Sequence, residues 1–359
     1  MSIKVEVVEG EPALTDFLLL HDRIVESAGA WWPTMVPMFL PALLNEGPFA
    51  EDRRSKAFWA LEGGQPVATV QAMVDERYVR HWGEQLGHLL HFEALPDARA
   101  AARAVMDEAC GWLREQGMDA ARCGFGGGEM PFVLDVYDAL PPMLVHQNPP
   151  YYHAFLKDAG FETEKGWVDY KVEVTPDLLR RWQSALDSAL RAGFDIVPLS
   201  KVAEDQRVRQ FTDTFNRSFA NHWGFSPWTE AELELLVGTM GPLGMLDCSV
   251  LAYRDEQPVG FLWVVPELSM MAATAPGREL RPDERLNFLG IGVLDEARGR
   301  GVNLAMAGFA YLELASRGAT HVSYTLVVDD NWPSRRTAEK LGAAVCANYV
   351  VYRRNFRRA

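Results

Sequence analysis

Two stretches of this chain repeat one another at a fixed distance, and that repetition limits the folds open to it more than any other feature. Residues 58–68, with apolar Phe58-Trp59-Ala60-Leu61 and Pro66-Val67-Ala68 around Gly63-Gly64, align without a gap on residues 250–260. Ala60, Gln65, Pro66 and Val67 meet Ala252, Gln257, Pro258 and Val259 at an offset of 192, and Trp31 and Trp223 share that offset. Two apolar runs around a turn read as a β-hairpin, so the chain carries the same hairpin twice. Further on, Asn148 precedes a helix-like stretch ending Lys157-Asp158-Ala159-Gly160, and Asn331, 183 positions later, precedes one ending Lys340-Leu341-Gly342. A unit of roughly 160 to 190 residues has been duplicated, which is the size of an ordinary domain.

The join between the copies is also legible. Thr175 is a helix cap, Pro176 suits a first turn, and Leu178, Leu179, Trp182, Leu186 and Leu190 recur at helical spacing before Gly193. The 359 residues therefore divide into 1–175, a linker helix at 176–195, and 196–359. A strand-like run opens each part, at residues 1–10 and 194–199, and residues 13–27 have one apolar helical face.

Composition narrows the function classes. The net charge is -14, and the one basic block, Arg353, Arg354, Arg357 and Arg358, reads as a solvated end, so no nucleic-acid partner is expected. Cys110, Cys123, Cys248 and Cys346 are scattered without metal-binding spacing, which argues against a metal site or disulfides and for a reducing, cytoplasmic setting. No apolar run is long enough to span a bilayer, so no membrane partner is expected either.

Chemistry is concentrated at residues 286–303. An apolar strand-like run leads through Leu294-Asp295-Glu296-Ala297 to Arg298-Gly299-Arg300-Gly301-Val302-Asn303, and an apolar helix follows from about Leu304 to Ser316. Glycines before a helix N-terminus let backbone N–H groups converge, a cradle suited to a phosphate or pyrophosphate. In the first copy Leu95-Pro96-Asp97-Ala98-Arg99 parallels this run, but Ala100-Ala101-Ala102 replaces Gly299-Arg300-Gly301. Side-chain Cβ atoms are expected to crowd that loop and keep it from closing on an anion. Gly124 to Gly128 reads as a flexible loop, since no helix follows it.

With these elements in order, residues 196–354 resemble the GCN5-related N-acetyltransferase superfamily. Its motif Q/R-x-x-G-x-G/A matches Arg298 and Gly301, with Asn303 in the last small position; its later Asn and K-x-G match Asn331, Lys340 and Gly342. The first half resembles the same fold in a degenerate form. The resemblance implies an α/β fold class, with two tandem domains, each a mixed central sheet flanked by helices. It also implies acetyl-CoA, or another acyl-CoA, as co-substrate, no metal, and a small-molecule amine acceptor; a homodimer is left open.

On that reading the cofactor-binding residues are Arg298, Gly299, Arg300, Gly301, Val302 and Asn303 around the pyrophosphate, Ile291, Gly292 and Val293 along the pantetheine arm, and Asn331. An alkylamine with a pKa near ~10.4 needs a base before it can attack a thioester. Glu267, at a strand end, and His222 are the candidates, with Asp329 and Asp330 after another strand. The tyrosine that many superfamily members use to protonate the leaving thiolate is replaced by Ala338, so Tyr352 or Tyr324 would have to substitute. The aromatic stretch 215–228 either covers the acceptor or packs against the other half. Three functions remain open: an active acyl-CoA-dependent N-acyltransferase, a catalytically inactive acyl-CoA sensor, and an aminoacyl transferase using charged tRNA. The acidic charge argues against the last.

Overall fold

The repeated hairpins form, and they share a defect. The computed structural model describes residues 3–356. Strands β3 (Arg53–Glu62) and β4 (Gln65–Asp75) pair antiparallel with a bulge between Ala60 and Leu61. Strands β10 (Val250–Arg254) and β11 (Gln257–Val265) do the same with the bulge between Ala252 and Tyr253, the position 192 residues on. A bulge adds twist at a chosen point of a sheet, so both halves bend alike.

In the first half these strands are joined by β1 (Lys4–Val8), β5 (Leu86–Ala94), β6 (Ala120–Cys123), β7 (Phe132–Val133) and β8 (Glu162–Glu173). Helices α1 (Glu11–Val25), α2 (Val36–Leu43), α3 (Glu76–Trp82), α4 (Arg99–Glu115) and α5 (Tyr152–Asp158) connect them, and β2 (Ala30–Trp31) stands apart. The linker helix α6 spans Pro176–Arg191, with Thr175 Oγ1 accepting from Leu178 N at 3.3 Å. The second half adds strands β9 (Asp195–Pro198), β12 (Ala273–Thr274), β13 (Phe288–Val293), β14 (His321–Val328) and β15 (Ala344–Asn355). Its helices are α7 (Glu204–Phe219), α8 (Glu230–Met240), α9 (Met245–Cys248), α10 (Val302–Ser316) and α11 (Trp332–Lys340). Of the basic block, Arg353 and Arg354 lie in β15, where Arg353 pairs with Glu84 and Glu164 and Arg354 with Asp107. Arg357 and Arg358 lie outside the described residues, as do the first two positions of the opening strand.

The halves exchange their final strands. The large sheet runs β1-β3-β4-β5-β6-β15-β8-β14, and a second sheet runs β13-β11-β10-β9. Thus β15, the end of the second half, lies between β6 and β8 of the first, and β8 pairs with β14 of the second. Packing follows the exchange. Val350 and Tyr352 of β15 enter the core under α4, while Val168 and Tyr170 of β8 enter the core under α10. A third core lies between the halves on the opposite face, with Trp167, Phe211, Phe261, Trp263 and Tyr349 in it.

Two features lock the arrangement. Helix α6 is packed on α10 so closely that a Cβ on Gly308 would lie 2.9 Å from the Trp182 carbonyl oxygen. Trp182 is buried and donates its Nε1 to Leu341 O at 3.0 Å. Across the halves, Arg77 grips Glu232 with two contacts of 2.6 and 2.8 Å, and Arg53 bridges Glu232 at 2.5 Å to Asp75 at 3.1 Å. Glu232 is wholly buried, so removing both arginines would strand its charge, at a cost of about 3–5 kcal/mol.

Candidate active site

The glycine loop is open and left-handed. Asp295–Ala297 makes one tight turn, Arg298 is extended, and Gly299 and Gly301 have φ of +75° and +80° before α10 begins at Val302. A Cβ at either glycine would meet nothing within 4 Å, so glycine is required here by its backbone conformation and not by lack of room. The N–H groups of the first helical turn, Val302, Asn303 and Leu304, have no intrahelical acceptor and face the loop end. Arg298 turns back on the loop, donating Nε to Val293 O at 3.0 Å and pairing with Asp295; Arg300 is exposed. In the first half no such loop exists. Helix α4 starts at Arg99 directly after Ala98, with Ala102 N bonded to Ala98 O at 2.8 Å, four positions earlier than α10 by the internal alignment.

Next to the loop two strands part. β13 pairs with β11 on one side, and Leu294 N donates to Val259 O. Antiparallel alternation then directs the backbone groups of Ile291 and Val293 away from β11, toward β14. Gly292, between them, is directed to β11 and opposes Phe261. β13 and β14 are bridged at one end, where Asn287 Oδ1 accepts from Ser323 N at 2.9 Å, and the Ser323 and Thr325 hydroxyls both reach Asn287 O. Beyond that bridge they are not paired with each other, leaving a slot with a strand edge on one wall. In the first half the corresponding edge is closed. Tyr152 Oη accepts from Ala94 N at 2.9 Å and Tyr151 Oη donates to Ala94 O at 2.8 Å.

On β8, which flanks β14 on the side away from β13, the first half contributes a buried acid. Asp169 of β8 is wholly buried; Oδ1 accepts from Tyr170 N at 2.9 Å, and Oδ2 has no partner. Burial pushes its carboxyl up to about 7, although the Tyr170 N–H, the Thr325 hydroxyl and the Leu326 N–H pull the other way. Thr325 also donates to Ser323 Oγ at 2.8 Å, so Asp169, Thr325, Ser323 and Asn287 form one polar line from β8 to the slot. The β14 backbone is bulged there, with Leu326 at φ +46°. Neither Asp169 nor Asn287 stood out in the sequence. The available signal was a lone acid inside the apolar run Trp167-Val168-Asp169-Tyr170.

On the opposite face, Tyr324 Oη lies 3.1 Å from Ser334 Oγ at the start of α11, and burial raises its pKa to about 12. Asn331 caps that helix through Ser334 N at 3.3 Å. Asn303 Nδ2 donates to Thr337 Oγ1 at 2.7 Å, tying α10 to α11 where the superfamily motif has a small residue. Ala338 is wholly buried in the core under α10.

The three catalytic candidates from the sequence occupy separate places. Glu267 is half-buried beyond β11, and its Oε1 accepts from Ser269 N, holding a turn. His222 follows α7 and packs on Trp167 and Phe219; its Nδ1 lies 3.1 Å from Trp223 O, and burial lowers its pKa. Tyr352 is buried in the core under α4, its hydroxyl 2.8 Å from His153 Nδ1 and pushed by burial to about 12. Among the described residues no hydrogen bond or ion pair joins these three to one another. Asp329 and Asp330 close β14; Asp330 pairs with Lys165 at 2.9 Å.

A cavity of about 420 Å³ lies on the inner face between the halves. Met35, Met38, Phe39, Met73, Leu90 and Met130 line it from the first half, and Trp228, Leu236, Trp263 and Met271 from the second. Trp263 stands opposite Gly290 of β13, so the cavity borders the sheet that carries the slot. Among the described residues there is no group of three or more His, Cys, Asp or Glu placed to hold a metal ion, and no helix long and apolar enough to cross a membrane. The four cysteines are free thiols.

Comparison with known proteins places this geometry. No family model matches the chain. It is 25% identical over 276 residues to a bacterial ceramide synthase of Caulobacter vibrioides (strain NA1000 / CB15N), covering 74% of this chain and 71% of that protein. It is 24% identical over 270 residues to Protein YghO of Escherichia coli (strain K12), covering 74% and 68%. Among solved structures, a tandem GCN5-related N-acetyltransferase protein from the clavulanic acid biosynthesis pathway matches along the whole of both chains, with a TM-score of 0.60 at 13% identity. The GCN5-related glucosamine N-acetyltransferase region of a fungal multi-domain β-N-acetylglucosaminidase matches 98% of this chain and 38% of that one, with a TM-score of 0.62 at 17% identity. The chain therefore has the GCN5-related N-acetyltransferase fold, a mixed α/β architecture, in tandem.

Proposed function

We propose that this protein is an acyl-CoA-dependent N-acyltransferase in which the carboxyl-terminal half holds the donor and a primary amine attacks its thioester. The observation that carries the reading is the asymmetry of the two strand edges: the one beside the glycine loop is free of a strand partner, and its counterpart is closed by Tyr151 and Tyr152. The first-turn N–H groups of α10 suit a pyrophosphate, with Arg298 and Arg300 nearby. The edge at Ile291 and Val293 suits the amide groups of a pantetheine arm, read through backbone hydrogen bonds. Asn303 and Asn331 then act by positioning α10 and α11.

In this reading Asp169 is the base. A carboxyl with a pKa of about 7 is half ionised at neutral pH and matched to proton removal from an ammonium. The Thr325 hydroxyl, beside Asp169 and joined to the Ser323 hydroxyl at 2.8 Å, would relay the proton by turning its own toward Asp169. The amine nitrogen bonds to the carbonyl carbon, the carbon–sulfur bond breaks, an amide forms, and the thiolate leaves. A thiol with a pKa near ~8.5 leaves readily at neutral pH, and Tyr324, on the α11 side, is the nearest proton source of the tyrosines expected to replace the one lost at Ala338.

Acetyl-CoA is the donor that the superfamily resemblance implies. The relative named a ceramide synthase brings longer chains into view, because a ceramide is the amide of a long-chain amino alcohol. Release of free thiol from acetyl- and palmitoyl-CoA, with and without short- and long-chain amines, tests the proposal. Amine-dependent thiol release that Asp169→Asn reduces supports it. Acyl-CoA binding without turnover on any amine rejects transfer and leaves a sensor.

A further inference from the structure

Strand β13 carries a glycine that neither its backbone nor its packing requires. A glycine inside a strand weakens it, and otherwise marks a bulge, a bend, or a place where another backbone or a ligand comes close. Gly292 has a packing reason, since a Cβ there would lie 2.5 Å from the Phe261 ring and 2.7 Å from Ser218 Cβ. Gly290, two positions earlier, has none. Its φ is outside the left-handed region, β13 keeps an unbroken register with β11 around it, and a Cβ would meet nothing within 4 Å. Half-buried beside open space, it leaves the approach of a ligand as its reason.

Strand alternation sets the face on which that space opens. Leu262, Val264 and Leu289 belong to the core under α10, whereas Phe261, Trp263, Val265 and Phe288 belong to the core between the halves. Gly290 is paired with Trp263, so its missing side chain lies on the Trp263 side of the sheet, with the two Cα atoms about 5.5 Å apart. Trp263 is the residue of β11 and β13 that lines the cavity between the halves. On the other side of Gly290 comes Ile291, whose backbone groups are directed to the slot. Next to Ile291 in sequence and opposite Trp263 in register, Gly290 joins slot to cavity.

The walls of the cavity select its guest. Trp228, Leu236, Trp263 and Met271 of the second half and Met38 and Phe39 of the first are apolar, and the one polar atom of Trp263 is used, Nε1 donating to Met245 Sδ at 3.1 Å. The polar groups gather at one end and match one another. His21 Nδ1 is 2.7 Å from Glu93 Oε1, His146 Nδ1 is 2.6 Å from Glu129 Oε1, and the His91 N–H donates to Glu129 Oε2 at 2.8 Å. Methylenes gain from apolar walls and nothing from paired charges, so an alkyl chain would fill the apolar part and stop short of that cluster. About 420 Å³ is within the range of small-molecule sites and far more than an acetyl methyl needs. An ammonium moving along these walls would shed water without gaining a partner, whereas a chain already joined to a thioester carries its carbonyl no farther than the slot.

We propose that Gly290 is the passage by which the alkyl chain of the transferred acyl group crosses from the slot into the cavity between the halves, so that this position sets the chain length accepted. The inference rests on the reading of the slot as the acyl-CoA site and narrows its donor to a long-chain acyl-CoA. An arm laid along β13 from the glycine loop meets Val293, then Ile291, then Gly290, and the chain beyond the thioester continues over the residue that has no side chain.

The test is calorimetry of the full chain with free CoA, acetyl-, octanoyl- and palmitoyl-CoA, each below its micellar concentration and without an amine. Affinity is expected to rise by about three- to fourfold per methylene while the chain lies in the cavity, making palmitoyl-CoA at least about a hundredfold tighter than acetyl-CoA. Gly290→Leu should bring the palmitoyl-to-acetyl ratio close to one, and binding of free CoA, which has no chain to place, shows that the variant is folded. Met38→Trp, on the wall from the first half, should lower the same ratio from the far side of the passage. Palmitoyl-CoA no tighter than acetyl-CoA, or a ratio that either substitution leaves unchanged, overturns the proposal while the donor reading stands. Dodecylamine titrated onto the CoA complex covers the other occupant: if Gly290→Leu weakens the amine and spares palmitoyl-CoA, the cavity holds the acceptor's chain and the proposal falls. CoA binding that is absent, or undiminished in Gly301→Asp, rejects the donor reading itself and this proposal with it.

Discussion

The carboxyl-terminal half begins α10 only after two left-handed glycines and leaves the slot edge of β13 without a strand partner. The amino-terminal half begins α4 four aligned positions earlier and turns two tyrosine hydroxyls onto the last residue of β5. Both keep the bulged hairpin, the strand before the helix, and the helix itself. The difference shows how small a change separates a cradle from a plain helix start. Letting the helix propagate through three alanines consumes the N–H groups that would have faced an anion, and nothing else in the scaffold has to move. The strand exchange adds a dependency, because Asp169, the base in the proposed reaction, lies on the first half's last strand against Thr325 and Leu326 of the second half's β14. Neither half is complete alone.

The comparison can be broken at four points. The largest effect is expected from Asp169→Asn, which should lower kcat by about 10²- to 10⁴-fold with little change in acyl-CoA affinity. The same variant carries a stability signature. Asp169 holds its proton more tightly folded than unfolded, so its contribution favours the fold below pH 4 or so and is lost as pH rises toward about 7. Asp169→Asn should therefore be the more heat-stable protein at pH 8, by on the order of a few kcal/mol, and lose that advantage at pH 4. A melting-temperature series against pH checks this.

Next comes Gly301→Asp, which imposes left-handed strain of ~1–3 kcal/mol on a side chain and sets a negative charge at the cradle. Acyl-CoA affinity should fall by about ten- to a hundredfold by calorimetry. Ala100→Asp, on the exposed start of α4, should leave it unchanged. Tyr152→Phe removes the hydroxyl shared by Glu93 and Ala94 N and should cost about 1–3 kcal/mol in denaturant unfolding, without opening a second acyl-CoA site. The smallest effect is expected from Asn303→Ala, which loses the bond to Thr337 and about 1 kcal/mol, visible as a modest fall in melting temperature.

Much of the fold could be read from the chain because its signals are local. The hairpins announce themselves by apolar runs around a turn, α6 by Thr175 and Pro176, and the cradle by Gly299 and Gly301. What could not be read depends on contacts distant in sequence. The exchange of β8 and β15 leaves no local trace, since each strand alternates as it would in its own half's sheet. Asp169 looks like any strand acid until Thr325, Leu326 and burial surround it. Asn303 departs from the superfamily pattern, and its reason, Thr337, lies on another helix. The cluster of His91, Glu93, Glu129 and His146 is spread over 56 positions and gathers only when β5 and the loops after β6 meet.

The central claim is that one half holds the donor and the other does not. The most direct test is the stoichiometry of acetyl-CoA binding to the intact chain by titration calorimetry. One molecule bound per chain, lost in Gly301→Asp and retained in Ala100→Asp and Tyr152→Phe, is the predicted result. Two molecules per chain, or one that survives Gly301→Asp undiminished, would contradict it.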